Sequence, residues 1–427
     1  MRPRLLSLVV LLFASSAALA QSGPPLSDSD HDSIQVLLER IQQLEKRVNQ
    51  LENNQRKAAV TEAEAKPRPA FLHTSMHEIQ EGTASVERQK SQPPASRPEI
   101  REAEVHYPSL GIHGFGDVNF SATDQKGTRT GFSLGQFDLH FASALSEKVN
   151  YFGEVTFTAQ PSTYDVQVER TIIRYDYNDN LKVSFGKYHT PTSYWNTAFH
   201  HGAWLQTTIS RPEMVQFGTT FEPIHFVGFA AEGNIPSGGL GLGYNVGLGN
   251  GRASILSKAG DNGDSNNNRA WVASVFARPT RFYGLQVGGA VYRDKLTPTS
   301  GPQFREWIES AHVVWSKEHP ELISEFANVS HREILTNQLF NSQAFYVQIA
   351  YRLPWQESKW KPYYRFEYIH RPKTEPVLNV LDLSGSTVGV RYDITNYAAF
   401  KWEYRNSRHG VNEPRVNGVF AQTDFTF

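Results

Sequence analysis

Arg352, Arg365, Arg391, Lys401 and Arg405 fall on the polar side of successive alternating stretches, with Glu367, Asp393 and Glu403 among them. Five cations against three carboxylates, held on neighbouring extended elements, form a basic wall. Facing water, such a wall would set a transverse field and favour small anions, because like-signed groups are what let a passage discriminate by charge. The plainer alternative is that any wet interior carries charges that satisfy one another. Across from this group, Asp138, His140, Glu154, Arg170, Arg174 and Asp176 show no net sign.

A second group lies in the long connection 190–222. It holds Tyr194, Trp195, His200, His201, Trp204 and Arg211. A structureless connection of this length in a compact protein is usually functional. The pair His200-His201 has the residue type of a metal ligand but not the spacing, since adjacent side chains seldom converge on one ion; no metal and no cofactor is expected. Catalysis finds little support. The chain has no Cys, which excludes thiol chemistry and disulfides. The C-terminal region has no Gly-x-Ser-x-Gly elbow, and its same-face carboxylates are generic pairs, so no catalytic residue is assigned. A formal net charge of −1 gives no bulk field for nucleic acid.

The elements that must hold these residues are strands. In Phe345–Leu353, Phe345, Val347, Ile349, Tyr351 and Leu353 alternate with Tyr346, Gln348, Ala350 and Arg352. Tyr364, Phe366 and Tyr368 oppose Arg365 and Glu367, and Phe400, Trp402 and Tyr404 oppose Lys401, Glu403 and Arg405. Side chains alternate faces with period two in a strand. About sixteen such runs, from 111–122 through 342–354 to 416–427, are separated by Gly, Asn, Asp, Pro and Ser clusters. The last run alternates Val419, Ala421, Thr423, Phe425 and Phe427 against Phe420, Gln422, Asp424 and Thr426. A soluble sandwich would give the same alternation with its apolar face inward. The terminal aromatic, the tryptophans near strand ends and the N-terminal segment favour an all-β, transmembrane antiparallel barrel over residues 109–427.

Residues 1–20 read as a signal peptide: Arg2 and Arg4, an apolar run Leu5 to Phe13, then Ala18-Leu19-Ala20. Residues 28–57 read as a periplasmic coiled-coil helix, with Ile34, Leu37, Ile41, Leu44, Val48 and Leu51 at a and d. Arg40 and Arg47 can pair with Glu45 and Glu52 of a parallel neighbour. Ile/Val at a with Leu at d favours two strands, whereas the repeated Arg-x-x-x-x-Glu pattern favours three; three is the expectation. Residues 58–108, rich in Pro and charge, read as a flexible linker.

Three local matches carry a resemblance: Phe185-Gly186-Lys187-Tyr188-His189-Thr190-Pro191, Ser210-Arg211-Pro212-Glu213, and Gly247-Leu248-Gly249-Asn250-Gly251. With these the chain, over Leu110–Phe427, resembles the phosphate-selective porin O and P family. Its N-terminal coiled coil is similar to that of trimeric dicarboxylate porins. The resemblance implies sixteen-stranded homotrimers in the bacterial outer membrane that pass small anions (phosphate or carboxylates) by diffusion, narrowed by the loop after the fifth strand. It does not carry phosphate selectivity, since no Lys lies between Lys187 and Lys258. The expected partners are therefore small anionic or polar solutes, outer-membrane lipid, two further copies of the chain, and the cell wall through the coiled coil. The competing expectations are a structural barrel tethered to the cell wall and an outer-membrane hydrolase.

Overall fold

The computed structural model describes residues 107–199 and 201–427. The signal peptide, the coiled coil, the linker up to residue 106, and His200 lie outside the described residues.

Sixteen antiparallel strands close into one barrel. In chain order they are β1 (Gly111–Thr123), β2 (Gly131–Ala144), β3 (Val149–Ala159), β4 (Tyr164–Asn178), β5 (Leu181–His189), β6 (His225–Ile235), β7 (Leu242–Asn250) and β8 (Ala270–Ala277). The second half comprises β9 (Leu285–Leu296), β10 (Phe304–Ser316), β11 (Glu321–Glu333), β12 (Leu339–Ala350), β13 (Trp360–His370), β14 (Leu383–Thr395), β15 (Ala398–His409) and β16 (Val416–Thr426). Each strand pairs with its sequence neighbours, and β1 closes on β16 through pairs such as Asp117↔Asp424 and Asn119↔Gln422. Closure removes the unpaired edges an open sheet would expose.

Alternation sets the two faces. On β12, Phe340, Ser342, Ala344, Tyr346, Gln348 and Ala350 are buried inward, while Leu339, Phe345 and Ile349 are exposed outward. On β15, Lys401 and Glu403 point in, and Phe400, Trp402 and Tyr404 point out. The outer wall is therefore an apolar, aromatic-rich belt. The closing strand follows the same rule: Phe425 and Phe427 lie outside, over Gly116 and Gly114 of β1. Any Cβ at those glycines would run into the rings, so the aromatics need the bare backbone beneath them.

All sixteen anticipated strands are present. The largest displacement is at β12, expected over 342–354 and found at Leu339–Ala350. Asn337 adopts a left-handed φ of 59° and tightens the β11–β12 hairpin, so pairing resumes at Arg332↔Leu339. Arg352 consequently sits beyond β12, in the connection to β13. Trp195 and Trp204 belong to no outer girdle. They lie in the connection between β5 and β6, inside the barrel, and Trp195 is fully buried.

Candidate functional site

The connection 190–224 turns into the lumen and crosses it. Its helix α1 (Tyr194–Ala198) starts at Ser193, whose hydroxyl accepts the Asn196 amide. Glu325 of β11 completes that cap from the wall, accepting the Tyr194 amide at 2.5 Å and the Trp195 amide at 2.9 Å. A carboxylate at a helix N-terminus meets amides that have no partner within the helix. Two 3-10 turns follow, at Ala203–Leu205 and Glu213–Val215.

One side of this loop is apolar. Trp195, Met214, Val215 and Phe221 pack with inward-facing Tyr292, Ile308, Ile323, Val329, Ala344, Tyr346 and Ile369. This explains why β9 to β13 carry apolar residues on their inner face: the loop covers them. Burial of such side chains contributes roughly 1.5–3 kcal/mol each, so the loop is held by a small core of its own.

Its polar backbone is held by charges from the wall. Arg365 donates to the Ser210 carbonyl at 2.8 Å, the Ser210 hydroxyl at 2.6 Å and the Thr208 hydroxyl at 3.1 Å, and pairs with Glu367 at 2.7 Å. Arg391 donates to the carbonyls of Trp204 (2.6 Å) and Gln206 (3.0 Å) and pairs with Asp393 at 2.7 Å. Lys401 donates to the Ala203 carbonyl at 2.6 Å and pairs with Asp424 at 2.7 Å. The carboxylates take the loop's amides: Glu403 accepts from Ile209 at 2.7 Å, Glu367 from Glu213 at 2.6 Å, and Asp138 of β2 from Gly202 at 3.1 Å.

Three central members of the basic wall, Arg365, Arg391 and Lys401, are thus buried beneath the loop, each bonded to its backbone and paired with a wall carboxylate. Arg352 pairs with Glu318 and Asp393. Arg405 pairs with Glu403 and keeps a quarter of its side chain open to solvent. The wall therefore acts as a clamp on the loop, a role that alternation along the strands does not reveal.

The loop's other side borders a cavity. It measures about 180 Å³ and is lined by Asp117, Gln136 and Gln422 of the barrel and by His201, Ser210, Arg211 and Gln216 of the loop. Phe217 carries the Arg211 guanidinium on its ring at 3.9 Å and stacks with the His201 ring at 4.9 Å. Burial pulls Arg211 down to about 9, which leaves it charged at neutral pH. Burial opposes protonation of His201, but Glu169, Glu154 and Asp138 outweigh it and raise its pKa.

The loop stems rest on further networks. His140 and Arg170 flank Glu154 at 2.9 and 2.5 Å, and His225 meets Glu169 at 2.9 Å. Arg252, beyond β7, pairs with Glu306 at 3.0 Å and donates to the Thr220 carbonyl at 3.0 Å. Arg252 and Asp117 give no signal in sequence, because one lies in an irregular loop and the other on a strand bulge. No group of three His, Asp or Glu with metal-ligating geometry occurs among the described residues.

No family model matches this chain, and no curated protein matches it. Solved structures do share its fold. OmpF of Salmonella typhi, in a complex with daunomycin, is 13% identical, with 74% of this chain and 97% of that chain covered and a TM-score of 0.53. In-vitro-folded OmpT in its trimer form, an outer membrane protein of Vibrio cholerae, is 15% identical, with coverages of 75% and 99% and a TM-score of 0.51. The outer membrane channel DcaP of Acinetobacter baumannii is 11% identical, with coverages of 75% and 97% and a TM-score of 0.51. At these identities the likeness is one of architecture.

Proposed function

We propose that this chain is an outer-membrane porin, a passive channel for small hydrophilic solutes, with anions such as phosphate or carboxylates as the preferred class. The observation that carries the reading is the clamped loop: a closed barrel with an apolar outer wall holds a segment across its lumen with a polar cavity beside it. A barrel built only as a tether has no need to fix such a segment by three buried cations. Anion preference draws its support from Arg211 at this cavity, whose lining holds one carboxylate, Asp117, while His201 is offset by Asp138 and Glu169. Arg405, a quarter open to solvent above buried Glu403, adds to it. Membership of the phosphate-selective porin O and P family and a homotrimeric state are part of this proposal. So is periplasmic placement of residues 28–108.

The test is single-channel recording of the purified full chain in planar bilayers. Steady ohmic current with a reversal potential toward the anion limit is expected; folded protein that carries no current would sink the reading. Deleting residues 28–108 should leave conduction intact and separates the channel from a cell-wall tether.

A further inference from the structure

The connection 371–382, between β13 and β14, reaches back onto the return arm of the crossing loop. Its Asn379 side chain accepts the Thr220 amide at 2.8 Å and donates to the Gly218 carbonyl at 2.9 Å. The Asn379 amide donates to the Thr220 hydroxyl at 2.8 Å, and that hydroxyl donates to the Val377 carbonyl at 3.0 Å. Val377, Leu378 and Val380 are buried. The connection is thus a strap laid on the arm.

A chain of buried charges fastens it. Glu375 of the strap meets His331 Nδ1 at 3.1 Å, His331 Nε2 meets Glu306 of β10 at 3.0 Å, and Glu306 meets Arg252 at 3.0 Å. Arg252 ends the chain on the Thr220 carbonyl at 3.0 Å. All four charged groups are buried, His331 and Glu306 completely. The Glu375 oxygen that faces His331 already accepts the Val377 amide at 2.8 Å, and the Glu306 oxygen that faces it already accepts Arg252 at 3.1 Å. Both are acceptors, so both ring nitrogens donate and His331 is an imidazolium. Two cations then balance two carboxylates. Around the bridge, β12 presents Phe340 and β10 presents Phe304. Asp294 of β9 lies behind Arg252 and takes the amides of Arg252 and Lys295 and the Tyr292 hydroxyl. Arg371 braces the strap at the carbonyls of Glu375 and Leu378.

A neutral imidazole donates through one nitrogen only, so its other nitrogen would turn a lone pair toward a buried carboxylate. Glu306 is fixed on β10 and gripped by Arg252; Glu375 sits on a connection and is the partner that gives way. We infer that His331 is a positioning residue for the crossing loop: its imidazolium holds the strap 371–382 on the loop's return arm, and loss of that proton releases the strap and residues 218–220 with it. The inference goes beyond the channel reading and does not depend on conduction.

The test is amide hydrogen exchange of the full chain in detergent, read by mass spectrometry between pH 6 and pH 9 and corrected for the intrinsic rate at each pH. Histidine discharges within this window. Protection of residues 218–221 and 375–380 should fall together by roughly 100-fold, the scale of leaving a buried charge unpaired, while β11 stays protected. Glu375→Gln should abolish the trend, because its amide can donate to a bare ring nitrogen. His331→Arg, a cation that does not discharge, should keep both segments protected at pH 9. The glutamine change lies outside the strands and tests the bridge even if the arginine does not fold. Protection independent of pH in wild type, or a wild-type fall in Glu375→Gln, overturns the bridge. A strap that loosens while 218–221 stays protected overturns the positioning role. The coupled fall in a barrel that passes no current would sink the channel and leave this inference standing.

Discussion

Replacing Arg365 by Met should loosen the loop without dismantling the barrel. The guanidinium is 1% exposed and gives three hydrogen bonds of 3.1 Å or less to Thr208 and Ser210, beside its pair with Glu367. Methionine keeps an apolar stem of similar reach but no donor, and it leaves Glu367 without its nearest cation. Removing one partner of a buried pair costs about 3–5 kcal/mol. That moves the equilibrium between docked and undocked loop by roughly two to three and a half orders of magnitude. Single-channel recording reads this directly: the Met variant should show larger mean conductance and frequent fluctuations where wild type is quiet. Arg365→Lys, which restores charge without the planar fork, should fall between the two. A Met variant that folds and shows wild-type conductance and noise would refute the clamp, because the loop would then be held by its apolar side alone.

Other outcomes follow from the same geometry. Glu222, buried at the loop's return, has its pKa pushed by burial from 4.5 to about 8, with Glu325 adding to the shift. The folded loop thus holds a proton the unfolded chain releases, so docking is unaffected below about pH 4.5 and weakens as pH rises toward 8; Glu222→Gln should flatten this trend in the channel's open-state noise. Gly114→Val places a side chain in the Phe427 ring. It should cost about 1–3 kcal/mol of barrel stability by thermal unfolding, with a smaller cost in a Phe427→Ala background. Arg405→Gln, at a partly open cation, should lower the anion-to-cation permeability ratio about two- to fivefold by reversal potential, the scale of one screened charge, with little change in noise.

The strands were legible because alternation is written residue by residue. Phe345, Val347 and Ile349 declare their face without help from elsewhere, and the last strand's Phe425 and Phe427 do the same. What alternation cannot state is what covers the inner face. Arg365, Arg391 and Lys401 read as pore lining because their parity is inward, yet the loop that buries them arrives from residues 203–211. The same gap hid the apolar inner faces of β10 and β11, where Ile308, Ile323 and Val329 look misplaced in a wet lumen until Trp195 and Val215 are set against them. The long connection itself was identifiable by length; that its aromatics pack against the inner wall was not. The tryptophan pattern misled at Trp195 and Trp204 for that reason: an aromatic near a strand end can face a lumenal loop as readily as an interface.

The clamp also has a history in time. Its contacts join residues 154 to 198 positions apart, from Glu213–Glu367 to Ala203–Lys401. Contacts of such separation form late, after the intervening chain has been arranged. Before they form, the lumen is wide and its cations are bare; afterwards it is narrow and they are sheathed. A barrel newly inserted into a bilayer should therefore begin with a high conductance and step down to its mature value as the crossing segment settles, so maturation itself would be visible as a fall in current.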